Sequence, residues 1–96
     1  VVTWSDHATA DLRHIHDYIA TDSRHYAKMV TQTIVDKTLQ LSELPRVGKV
    51  VPEIDDENIR ELHMYSYRIL YEVKGDQIYV LAVVHKRQDF QPKDLP

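Results

Sequence analysis

Nine consecutive residues, Gln77–His85, constrain this chain more than any other segment. The run Gln-Ile-Tyr-Val-Leu-Ala-Val-Val-His is rich in apolar residues at both odd and even positions. A half-solvated strand alternates, so a run that is apolar on both sides belongs in the middle of a sheet with both faces covered. Tyr67–Lys74, just before it, is a second β-rich run with Tyr67, Ile69, Tyr71 and Val73 on one face. Between them, Lys74-Gly75-Asp76-Gln77 suits a two-residue turn with positive φ at its first central position. The hairpin so formed must find its cover elsewhere in the chain.

Helices supply that cover. Val1–Ser5 reads as a short strand, and Ser5-Asp6 offers an N-cap. Ala8, Leu12, Ile15 and Ile19 then mark one face of an amphipathic helix running from Asp6 to about Thr21. Thr21-Asp22-Ser23 interrupts it, and Ala27, Val30, Ile34, Leu41 and Leu44 restart the helical period until Pro45 ends it. So short a turn makes an antiparallel helical hairpin with one shared apolar face. Arg46–Asn58 reads as a loop, with a brief extended piece at Lys49–Val51, and Ile59–His63 as a short strand. The tail Lys86–Pro96 is polar, with Phe90 and Leu95 as isolated apolar anchors. The expected order is β-α-α-β-β-β, an α+β domain spanning residues 1–96 in which the hairpin covers one face of a mostly antiparallel sheet. The other face, with Tyr, Arg, Glu and His positions, is the expected place for function.

Composition narrows the class. Ninety-six residues without cysteine exclude a disulfide framework and cysteine-based zinc sites, and suit a reducing cytoplasm. The apolar run Ile78–Val84 is too short to span a bilayer, and no basic-then-apolar leader opens at Val1, so a cytoplasmic location away from membranes is expected. A net charge of −3 is not the footprint of a protein that coats nucleic acid. The distribution sharpens that figure: Glu53, Asp55, Asp56 and Glu57 crowd one loop, and the rest of residues 46–96 carries eight basic and five acidic side chains.

Several segments together resemble a known family. These are Ala10-Asp11-Leu12…Ile15…Tyr18-Ile19, Leu44-Pro45…Gly48…Pro52-Glu53, Asn58-Ile59-Arg60-Glu61-Leu62, Tyr67-Arg68-Ile69-Leu70-Tyr71-Glu72-Val73, and Ile78…Leu81-Ala82-Val83-Val84-His85-Lys86-Arg87-Gln88-Asp89. In this order and at these spacings they are similar to the RelE/ParE superfamily of bacterial toxins, most of all to its ParE-like branch. The resemblance implies the toxin of a type II toxin–antitoxin module, held inactive by an antitoxin, and a helical hairpin on an antiparallel sheet. The ParE-like branch implies a poison that binds DNA gyrase and blocks replication; the RelE-like branch implies a ribosome-dependent messenger RNA endonuclease.

The residues weigh these branches differently. RNA cleavage by 2′-hydroxyl attack needs a base, an acid and a cation over the phosphorane, for which His85, Arg68 and Glu53 are the candidates, with Lys49, Lys86 and Arg87 as phosphate ligands. Bland readings stand beside them: Arg60 and Arg68 as ion-pair partners of Glu61, Glu72 or the acidic loop, Glu53 as a loop salt bridge, and His85 as a strand-end histidine orienting the tail by a hydrogen bond. A gyrase poison needs only a binding surface, for which Arg60, Tyr65, Tyr67, Arg68, His85, Lys86, Arg87 and Phe90 are the candidates. The modest negative charge favours a protein target over the ribosome, so no catalytic set and no cofactor is assigned. His7, Asp11 and His14 share a helix face but read as solvated, and no metal site is assigned. The resemblance further implies a ribbon-helix-helix DNA-binding antitoxin, so that DNA is met only through that partner. Tyr26, Met29, Val50 and Val51 are candidates for its contact, with membership of the core as their alternative.

Overall fold

The computed structural model describes residues 1–95, so Pro96, the last residue of the expected domain, lies outside them. Strand β1 (Val2–Trp4) leads into helix α1 (Asp6–Ala20) and helix α2 (Arg24–Leu39); β2 (Lys49–Val50), β3 (Ile59–Met64), β4 (Tyr67–Lys74) and β5 (Gln77–His85) follow. Side-chain caps set both helix starts. Ser5 Oγ accepts from the Ala8 N–H at 3.0 Å and Ser23 Oγ from the Tyr26 N–H at 3.1 Å, each satisfying one of the orphan amides of a first turn. The second helix ends earlier than its apolar period suggests. After Leu39 the backbone tightens into a 3-10 turn at Gln40–Ser42, which carries Leu41 into the core and leaves Leu44 outside.

The five strands form one sheet in the order β1-β5-β4-β3-β2. All pairs are antiparallel except β1 with β5. β4 therefore lies at the centre, and β5 between it and β1. Gly75 makes the expected turn with φ of 58°, and Tyr65 takes a φ of 55° in the Tyr65-Ser66 turn between β3 and β4.

A bulge divides β5. Leu70 pairs with Ala82 and Tyr71 with Val80, so Leu81 has no partner. The extra residue inverts the alternation, placing Ile78, Val80 and Val83 on the helix side and Ala82 and Val84 on the other. The helix-side core joins them to Val30, Ile34, Leu41, Leu62, Ile69, Tyr71 and Val73, with Leu12, Ile15 and Ile19 packed against it.

The second face is covered as well. Val51, Leu70, Ala82, Val84 and Phe90 form a separate buried cluster, flanked by Ile54, Ile59 and Leu95. The loop after β2 and the C-terminal tail thus lie over the face that the sequence suggested was open. Phe90 is only 3% exposed and Val51 fully buried; burial of each such side chain contributes about 1.5–3 kcal/mol.

Candidate functional site

The sheet separates the expected residues into three places. The first is a charged cluster on the second face. Arg68, from β4, grips Glu53 through a fork, Nη1 to Oε2 at 2.7 Å and Nη2 to Oε1 at 2.8 Å. It also reaches Glu61 on β3, with Nε to Oε1 at 3.0 Å and Nη2 to Oε2 at 2.7 Å. Cross-strand register explains this, because His63 sits opposite Arg68 and Glu61 two residues away on the same face. His63 Nε2 bonds Glu61 Oε1 from the rim, and the guanidinium lies 5.7 Å from the Phe90 ring centroid.

The electrostatics follow from these contacts. Hydrogen bonding from Arg68 is the largest of the effects that hold Glu53 below the usual carboxylate range, against a smaller opposing effect of burial. Burial pushes Glu61 up, but its bonds from Arg68 and His63 together outweigh that and bring it below its ordinary value. The two carboxylates in turn raise Arg68 above its own. Four of the five guanidinium N–H groups are aimed at carboxylates, so the fork that would hold a phosphate is occupied. Arg68 and Glu53 are thus brought together, but His85 is not with them. It pairs with Tyr67, one residue out of phase with the Arg68–Val84 pair, and so faces the other side of the sheet.

The second place is the loop beneath β3. Arg60 ends here, against backbone carbonyls and not against carboxylates: Nε donates to Glu57 O at 2.9 Å and Nη1 to Gly48 O at 2.9 Å. Arg46 donates to Glu57 O at 3.0 Å and to Asn58 Oδ1 at 2.9 Å. Only Glu53 of the acidic cluster forms an ion pair among the described residues; Asp55, Asp56 and Glu57 stay exposed.

The third place is the end of the sheet formed by the β3–β4 turn and the exit of β5. The Lys86 N–H donates to Ser66 O at 2.8 Å, which locks the two together. Tyr67 and His85 meet edge to face with centroids 5.5 Å apart, and His85 Nδ1 accepts the Arg87 N–H at 3.1 Å. The left-handed turn residue Tyr65 and the side chains of Lys86 and Arg87 are exposed around them. Burial raises the Tyr67 phenol, and the hydroxyls of Tyr18 and Tyr26 are close enough to add to it. The end of α1 and the start of α2 therefore border the same patch. Tyr18, 78% exposed, is its most open aromatic side chain. The sequence carried a signal for it, an aromatic residue off the apolar face of α1.

Of the residues considered for antitoxin contact, Tyr26 and Met29 are about half exposed on α2, Val50 is half-buried and Val51 belongs to the core. Phe90 is likewise a core residue and cannot offer its ring at a surface. On α1, His7 pairs with Asp11 at 3.5 Å, and His14 is exposed. Asp11 also accepts the Val83 N–H at 3.0 Å.

No curated protein sequence matches the chain significantly. A solved structure described as the chromosomal ParDE TA system from P. aeruginosa is similar to it, at a TM-score of 0.71 and 25% identity, over 88% of this chain and 92% of that one. No helix among the described residues is long and apolar enough to cross a membrane. The family model for the ParE toxin of the type II toxin–antitoxin system parDE matches residues 2–90. With that match spanning β1 through the tail anchor Phe90, this chain belongs to the ParE toxins of type II toxin–antitoxin systems and has a cognate antitoxin as its partner.

Proposed function

We propose that this toxin acts in the cytoplasm by binding DNA gyrase directly and blocking replication, with no chemistry of its own. What carries the reading is the convergence of Tyr65, Tyr67, His85, Lys86 and Arg87 at one end of the sheet, bordered by Tyr18. Aromatic side chains beside exposed cations are the composition of an interface hot spot. The occupied fork of Arg68, and its separation from His85 by the thickness of the sheet, support a binding surface over a nuclease centre. The antitoxin is a ribbon-helix-helix DNA-binding protein whose C-terminal half docks on Tyr26 and Met29, close enough to the patch to hide it from gyrase.

Inhibition of supercoiling by the purified toxin tests this. Tyr65→Ala and the double variant Lys86→Ala/Arg87→Ala are expected to weaken inhibition by about tenfold or more, the range of a truncated hot spot, while the thermal midpoint stays unchanged. Absence of any effect on gyrase, together with cleavage of ribosome-bound messages that His85→Ala abolishes, would overturn the reading in favour of the endonuclease.

A further inference from the structure

The two hairpin turns of the sheet share one form but not one residue type. Met64 pairs with Tyr67 around Tyr65-Ser66, and Lys74 with Gln77 around Gly75-Asp76. In each, the first central residue has positive φ, 55° at Tyr65 and 58° at Gly75, and the second does not. Glycine is the favoured residue at that position, because a Cβ is crowded by its own backbone there. Gly75 is present for its backbone alone, since a Cβ on it would meet open space. Asp55, the other described residue with positive φ, is of a type that adopts it readily. Tyr65 is the exception. A bulky aromatic residue in the left-handed region is strained, and such strain gathers at functional sites, where the surroundings fix the backbone.

The surroundings fix this turn from two sides. The β3–β4 ladder runs up to Met64 and Tyr67, and the Ser66 carbonyl is held by the Lys86 N–H at 2.8 Å. The core has no call on the ring: Tyr65 is 44% exposed and belongs to neither buried cluster. Lys86 and Arg87 lie exposed beside it and form no ion pair among the described residues. Asp89, two residues beyond Arg87, accepts from the Gln91 amide at 3.3 Å. The charge next to the ring is therefore positive, on a chain whose net charge is −3.

Resting on the reading of this end of the sheet as the gyrase surface, we propose that Tyr65 is a preset anchor whose ring enters an apolar slot on the target protein, with carboxylates at the slot's rim pairing with Lys86 and Arg87. A side chain fixed in its bound position before the encounter loses less freedom on binding, so the strained turn exchanges stability for affinity. A tyrosine ring brings a large, rigid contact area, and opposite charges at the rim set its register and speed the encounter. Carboxylates of a protein are the better partner than DNA phosphates, because two cations on a net-negative chain are too few for binding by counterion release.

Binding of the purified toxin to gyrase without DNA, and thermal midpoints of the same variants, test this. Tyr65→Phe is expected to bind within about threefold of the wild type, and Tyr65→Gly and Tyr65→Asn to bind about tenfold or more weakly. Tyr65→Gly is also expected to melt at least about 3 °C above Tyr65→Ala, the reverse of the usual order of these two residues, because glycine relieves the left-handed backbone. Lys86→Glu/Arg87→Glu is expected to weaken binding beyond Lys86→Ala/Arg87→Ala, since like charges then meet at the rim. A Tyr65→Gly toxin that binds like the wild type, or melts below Tyr65→Ala, overturns the proposal and leaves the gyrase reading standing. Binding that appears only when DNA is added assigns Lys86 and Arg87 to phosphates and also overturns it. A wild-type toxin that binds gyrase neither with DNA nor without it removes the reading and the proposal together.

Discussion

Gly48 and Tyr71 show how little slack single residues have here. The Gly48 N–H donates to the buried Tyr71 hydroxyl at 3.0 Å. A Cβ at position 48 would stand 2.6 Å from both that hydroxyl and Glu61 O. Close approach, and not a left-handed backbone, is what glycine provides at this position. Gly48→Ala is expected to destabilise by about 1–3 kcal/mol through overpacking, which a urea midpoint measures. Arg68 is tighter still. Its side chain is 11% exposed and that of Glu61 1%, so Arg68→Met leaves a buried carboxylate uncompensated and is expected to cost about 3–5 kcal/mol. The same contact gives the stability a pH dependence. Glu53 and Glu61 are held below the ordinary glutamate value of 4.5, so their contribution is fully present above that pH and is lost as pH falls through the lower folded values. The urea midpoint is expected to be flat from neutral pH to about 5 and to drop below about 4.5. Glu61→Gln should flatten that drop, and an acid limb unchanged in Glu61→Gln would show that other groups control it.

At the scale of elements, the bulge at Leu81 and the tail are the features that alternation does not foresee. A strict period of two would set Val80 and Ala82 on one face, but they lie on opposite sides of the sheet. Deleting Leu81 joins Val80 directly to Ala82, so a strict period of two then keeps Ile78, Val80 and Val83 on the helix side and Ala82 and Val84 on the other. A cooperative thermal transition is therefore expected for that deletion, and its loss would refute the reading of Leu81 as an extra residue between two otherwise in-register halves of β5. The tail is held by a single aromatic anchor. Phe90→Ala opens a cavity between Leu70, Ala82 and Val84 and is expected to cost about 3–5 kcal/mol, lowering the thermal midpoint by at least about 10 °C.

For the whole molecule, the two-sided sheet separates stability from function. The second face is a core, closed by loop and tail and tied by Arg68, and the exposed aromatic and cationic groups gather at one end of the sheet. Variants should therefore fall into two sets. Arg68→Met and Phe90→Ala are expected to reduce the urea midpoint and the toxicity together, whereas Tyr65→Ala and Lys86→Ala/Arg87→Ala should reduce toxicity alone. Toxicity and denaturation measured on one panel check this, and a Tyr65→Ala protein as destabilised as Phe90→Ala would break the division.

Most of the architecture was legible because it follows from local chemistry. Ser5 and Ser23 cap where a hydroxyl meets an apolar period, Gly75 turns where positive φ is needed, and Gln77–His85 is buried on both faces as its composition demands. The family too was legible, because its motifs are ordered along the chain. The partners of Arg60, Arg68 and Phe90 were not. Arg60 had the acidic loop within reach in sequence and took carbonyls instead; Arg68 found Glu53 from a loop and Glu61 from the neighbouring strand; Phe90 looked isolated and lies in a core. Local propensity and periodicity act over a few residues, so the sequence by itself determined the elements, their order and the demand for cover on both sheet faces. Which side chains meet between elements depends on register, on the bulge and on where the tail comes to rest, and only the tertiary structure decided those.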